Sequence, residues 1–71
     1  MSETVKLWLL AMIEGELKNV DGDISNNRVW QKGCSDEETT FMYEQNIADL
    51  EEYKEVLSQL KEQTENGGLN I

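Results

Sequence analysis

The sequence predicts an all-α fold, an antiparallel hairpin of two long helices, and three observations carry that expectation. Apolar residues recur at helical spacing over two stretches of nearly equal length. Between them lies Gly33-Cys34-Ser35, the short connection expected of an αα-hairpin. The 71 residues contain no Pro, so no position forces a helix to break.

In the first stretch Leu7, Leu10, Ile13, Leu17, Val20 and Ile24 follow one another at steps of 3, 3, 4, 3 and 4, along one side of an α-helix. Ser2 is placed to cap its start. Lys32 and Gly33 are placed to end it, with a cation in the last turn and a glycine suited to the left-handed conformation. The helix is expected to run from about Glu3 to Lys32. Asp21-Gly22-Asp23 leaves two courses open: glycine costs about 1 kcal/mol against alanine inside a helix, and Asp-Gly is also a turn signal. The first helix is either continuous or broken near Gly22.

Ser35-Asp36-Glu37-Glu38 fits a capping box, with Ser35 accepting from the Glu38 N–H and the Glu38 carboxylate reaching back. The second helix is expected from Asp36 to Glu65. Its apolar positions Tyr43, Ile47, Leu50, Tyr53, Leu57 and Leu60 step by 4, 3, 3, 4 and 3. Thr64-Glu65-Asn66-Gly67-Gly68 supplies the stop. Residues 1–66 form one domain in this reading, and 67–71 a flexible tail in which Leu69 and Ile71 are the side chains that would dock.

A chain this short buries only about 60% of the surface it exposes when unfolded. One seam between two helices falls short of offsetting the conformational entropy of ordering the chain. Either the amino-terminal segment folds back as a third helix, or two hairpins pair into a four-helix bundle. Residues 5 to 13 hold eight apolar residues of nine, interrupted only by Lys6, and are hydrophobic nearly all round. A single partner helix cannot cover such a segment. Trp8, Leu9 and Met12 are therefore expected to be covered by another subunit or a binding partner, a homodimer or larger homo-oligomer being the favoured form.

Charge is the most uneven feature. The net charge is −9, from 15 acidic and 6 basic residues. Residues 1–34 carry five acids and four bases, while 35–71 carry ten acids and two bases, Lys54 and Lys61. This balance argues against direct nucleic-acid binding, which needs clustered Lys and Arg. It directs attention to the second helix, where Glu37, Glu44, Glu51 and Glu65 recur at heptad spacing, flanked by Glu55 and Glu62 and widened by Asp49 and Glu52. Like charges at i,i+4, such as Glu51 and Glu55, cost a helix a few tenths of a kcal/mol. Two accounts stand side by side: a solvated face that promotes solubility, and a surface that docks on a basic groove in place of nucleic acid.

Other chemistry finds little support. With no His and one Cys, Cys34, the chain cannot build a Cys/His zinc site, a Ser/His/Asp triad or an internal disulfide. Asp21-Gly22-Asp23-Ile24-Ser25 has oxygen side chains at the first, third and fifth positions of an EF-hand loop. Asn26 then stands where that loop needs Gly, and Lys32 where it needs a bidentate Glu. No metal and no cofactor is expected. A two-helix hairpin offers no deep pocket to raise a carboxylate pKa, so no catalytic residue and no enzymatic activity are expected either. Cys34 has no His or basic cluster to lower its pKa. Arg28 and Trp30 are residue types enriched in binding hot spots; Trp30 is equally suited to cap the core with Phe41 or Met42 packed on it. The apolar run Leu7–Ile13 is far shorter than the roughly 20 residues of a membrane span and lacks the marks of a signal peptide, so a cytoplasmic protein that does not enter membranes is expected.

The segments Met12-Ile13-Glu14-Gly15-Glu16-Leu17, Ile24-Ser25-Asn26-Asn27-Arg28-Val29-Trp30-Gln31-Lys32-Gly33-Cys34 and Glu44-Gln45-Asn46-Ile47 resemble small uncharacterised proteins encoded by phages and prophages of Gram-positive bacteria. The resemblance spans residues 7 to about 60 and carries no defined site. It implies a class of task, since small acidic phage proteins often inhibit host enzymes or defence systems, anti-CRISPR proteins among them. With the charge pattern, it gives the expectation of an acidic helical inhibitor in a bacterial host cell. Such a protein would occlude a basic nucleic-acid-binding surface of a host protein such as a CRISPR effector nuclease. The alternative is a self-assembling structural or scaffolding bundle whose acidic face is only solvated.

Overall fold

A computed structural model describes residues 2–67. Two helices, α1 (Glu3–Lys32) and α2 (Glu37–Glu65), pack against each other as a hairpin with principal extents of 51 × 16 × 13 Å. Ser2 caps α1, its Oγ accepting from the Val5 N–H at 3.1 Å. The helix is continuous through Gly22. Val20 and Ile24 are buried on either side of that glycine, and Asp21 pairs with Lys54 of α2. Packing on both sides thus outweighs glycine's cost of about 1 kcal/mol.

The turn differs from expectation in two details. The N-cap of α2 is Asp36, not Ser35, and the helix begins one residue later, at Glu37. Asp36 offers a charged acceptor to the positive end of the helix, and its Oδ2 takes both the Thr39 N–H at 3.0 Å and the Thr39 hydroxyl at 2.7 Å. Thr39 thereby takes the third helical position, and the reciprocal Ser35–Glu38 box does not form. Gly33 is right-handed, with φ −82°, rather than left-handed. The end of α1 tightens instead, the Gly33 N–H bonding to the Trp30 carbonyl and the Cys34 N–H to that of Gln31, both at 3.1 Å. The left-handed glycine is Gly67, φ +68°, which follows Asn66 at the end of α2. The rest of the expected tail, with Leu69 and Ile71, lies outside the described residues.

The core is a single file along the seam. Ile13, Val20, Ile24 and Leu57 are buried, and Leu9, Leu17, Ile47, Leu50 and Leu60 pack against them. Two polar residues complete it: Asn27, whose Nδ2 donates to the Asp23 carbonyl at 2.7 Å, and Thr64, whose hydroxyl donates to the Leu60 carbonyl at 2.8 Å. Ile13, Val20 and Asn27 are spaced by seven residues, as are Tyr43, Leu50, Leu57 and Thr64, so both helices follow a heptad seam. Leu7 and Tyr53, both expected on the seam, are exposed instead.

Candidate interaction surfaces

Because the core is one file of side chains, each helix leaves two flanks beside the seam and an outer face. Heptad spacing separates these surfaces, and their chemistry differs.

On the first flank Glu14, Asp21 and Arg28, each seven residues from the next along α1, pair across the seam. Glu14 meets Lys61 at 3.4 Å, Asp21 meets Lys54 at 2.6 Å, and Arg28 donates to Glu51 at 2.8 Å. Seven residues forward along α1 corresponds to seven back along α2 for the first two pairs, and the third inverts the signs. A sliding of one helix by a heptad would leave Arg28 facing Lys54, so the ladder fixes register more than it stabilises. All these side chains are at least a third exposed, which limits each pair to a few tenths of a kcal/mol. Lys61 also lies 3.8 Å from Glu65.

The ladder sorts the acidic residues of α2. Lys54 and Lys61, its only cations, are drawn to the seam, and Glu51 is engaged by Arg28. Glu37, Glu44, Glu52, Glu55 and Glu62 are exposed and take part in no ion pair among those described. They lie on the ladder's side of α2 and around its outer face. Asp49 is separated from them. It lies across the seam, where it lines a shallow recess with Asp23, Asn27, Asn46 and Leu50. The carboxylates expected to form one surface are thus split into an outer group, one paired residue and one on the opposite flank. At the turn the Thr39 hydroxyl and N–H hold the Asp36 carboxyl below its ordinary value of 3.8.

The second flank is apolar at both ends. Next to the seam stand Leu9 and Trp30 of α1 with Tyr53 and Leu60 of α2; one position further out stand Val5, Met12, Met42 and Val56. Leu9, expected to face another subunit or a partner, is half-buried and packs on the core of its own chain. Trp8 and Met12 are 70% and 65% exposed. At the turn Trp30 packs on Tyr43, ring centroids 6.2 Å apart, while Phe41 and Met42 are both exposed. Tyr43 lies on the heptad seam and so faces α1, while Met42 stands one position out from the seam and Phe41 on the outer face of α2. Arg28 and Trp30, bracketed in the sequence as one hot spot, lie on opposite flanks. Cys34 is half-buried, its thiol directed at the Trp30 carbonyl at 3.3 Å.

Among the described residues no three Cys, Asp or Glu side chains converge as a metal site, and no helix is long and apolar enough to cross a membrane. The fold defines a class, an antiparallel α-hairpin with one ion-paired flank and one apolar flank. No family model, curated protein or solved structure matches the chain.

Proposed function

We propose that the protein is a non-enzymatic binding module that lays the acidic outer side of α2 on a basic, nucleic-acid-binding surface of a partner protein. The observation that supports this is the disposal of the cations: both lysines of α2 are taken up at the seam, so Glu37, Glu44, Glu52, Glu55 and Glu62 present negative charge unrelieved by that helix. From Glu37 to Glu62 the strip is about 37 Å long at 1.5 Å per residue. One turn of duplex DNA, about 34 to 36 Å, is of similar length. The resemblance to phage-encoded proteins narrows the partner to a host protein in the bacterial cytoplasm, a CRISPR effector nuclease being one such. A complex of this kind forms fast and weakens steeply with salt.

The test is capture from host lysate at low and high salt, followed by competition between the protein and duplex DNA for each captured partner. Reversing Glu44, Glu55 and Glu62 to Lys is expected to abolish both capture and competition. Binding that survives the reversal, or that is indifferent to salt, refutes the proposal. A second reading, a self-assembling scaffold with a merely solvated acidic side, draws on the exposed Val5, Trp8, Met12 and Val56. It predicts that the triple reversal leaves function intact.

A further inference from the structure

The two flanks of the seam differ in a way a lone hairpin does not require. Two helices that pack only on each other need one apolar stripe apiece, with polar residues on both sides of it. Here six of the ten large exposed hydrophobics, Val5, Met12, Trp30, Met42, Tyr53 and Val56, lie on the flank away from the ion pairs, drawn from both helices. The charged residues on that flank are Glu16, Asp23, Asp49 and, in a recess beside Met42, Glu38, whereas the other holds the whole ladder and most of the glutamates of α2. Helices of a four-helix bundle have this pattern, since each packs on two neighbours and shows apolar residues on one flank of its main seam.

We propose that a second copy of this chain covers the apolar flank, so that two hairpins form a four-helix bundle with the ion ladder and the acidic side of α2 left outward. Area supports a partner of this size. The chain exposes 5343 Å², and its elongated shape, 51 × 16 × 13 Å, leaves it several hundred Å² above the roughly 4,500 Å² of a compact monomer of its mass. That surplus is on the scale of the roughly 800 Å² each partner gives to a standard interface. Charge supports a second copy over an unrelated ligand. Two chains of −9 each repel, and they approach at least cost through the flank with the fewest carboxylates. A basic partner is drawn instead to the opposite side. The recess of Asp23, Asn27, Asn46 and Asp49 interrupts the flank at mid-length, leaving apolar zones toward the open end and the turn.

The proposal does not rest on the acidic-docking function. It is tested by sedimentation equilibrium of the full chain from micromolar to millimolar concentration, with Met12→Glu/Val56→Glu as the disrupting pair. Leu7→Glu/Phe41→Glu, equally exposed but with Leu7 on the ladder's flank and Phe41 on the outer face of α2, is the control. The wild type and the control are expected at twice the chain mass of 8.2 kDa, and the disrupting pair at the chain mass with its helicity retained. Should that pair unfold, the milder Met12→Gln/Val56→Thr is expected to raise the dissociation constant at least about tenfold. The thermal midpoint of the wild type should also rise with protein concentration. A wild type that stays monomeric throughout, or a dimer that both pairs affect equally, overturns the proposal. Reversal of Glu44, Glu55 and Glu62 leaves the mass unchanged, so failure here and failure of the docking function are distinguishable.

Discussion

Truncating Ile13 to alanine tests whether the hairpin is held by its single file of core residues. Ile13 is 1% exposed and belongs to a cluster of four buried apolar side chains. Truncating a buried Ile costs about 2 to 5 kcal/mol, transfer and cavity terms together. The half-buried neighbours Leu9, Leu17 and Leu60 border solvent and have room to relax into the gap. The lower part of that range, about 2 to 3 kcal/mol, is therefore expected. A domain of 71 residues has a total stability of about 4 to 11 kcal/mol. The substitution thus removes a large share of it.

Leu7→Ala is the matched comparison. Leu7 continues the apolar stripe of the sequence yet is 58% exposed, so its truncation is expected to cost within about 0.5 kcal/mol. Urea unfolding at one fixed protein concentration, followed by far-ultraviolet circular dichroism, reads both. The Ile13 variant should unfold at clearly lower urea with an unchanged slope. Equal shifts for the two variants would refute the seam assignment for α1.

Glycine substitutions are expected to have opposite signs. Nothing lies within 4 Å of a Cβ built at Gly22, so Gly22→Ala should stabilise by about 0.5 to 1 kcal/mol in the same unfolding assay. Gly67→Ala should destabilise, because φ there is +68°. A double-mutant cycle on Arg28 and Glu51, both more than half exposed, is expected to give a coupling below about 0.5 kcal/mol in low salt and less in high salt. The Asp36 carboxyl is held below 3.8 in the folded chain. Its contribution is thus fully present above that value and is lost as pH falls through the lower folded pKa. The stability difference between wild type and Asp36→Asn should stay constant near neutrality and change only below about pH 4, as thermal midpoints across pH would show.

Element type, length and order were legible because a 3.6-residue period sustained over eighteen residues has no competing explanation. Leu7 and Tyr53 were misplaced for one shared reason. Leu7-Leu10-Ile13 and Ile47-Leu50-Tyr53 each take two consecutive steps of three, which fall about 120° short of two full turns. The outermost residue is thereby rotated off the seam. Asn27 and Thr64 do not show in the apolar pattern because both are polar. The seven-residue repeat through Ile13 and Val20, and through Leu50 and Leu57, points to both. The cap could not be decided from residue type, since Ser35 and Asp36 are both good N-caps. Thr39, with a hydroxyl and an N–H for the same carboxylate oxygen, is what favours Asp36. The acidic surface is legible as an excess of charge, but not as a surface, because Asp21 and Glu14, which draw Lys54 and Lys61 to the seam, lie on the other helix.

The −9 charges are arranged so that one flank of the hairpin stays largely apolar. A chain needs net charge for solubility, and a short chain needs area to bury. Spread evenly, the first would obstruct the second. Here the basic residues of α2 are spent at the seam, where they set register. The carboxylates they would otherwise have neutralised are left on the ladder's side and the outer face, and the far flank carries fewer of them, Glu16, Asp23, Glu38 and Asp49. Shifting one carboxylate pattern by half a helical turn would remove both surfaces at once: the apolar flank would become acidic, and the acidic side would become mixed. The segregation of the two flanks is therefore a property of heptad phase, and heptad phase is held by Ile13, Val20, Ile24 and Leu57. Loosening that core is expected to blur both surfaces before the helices themselves are lost.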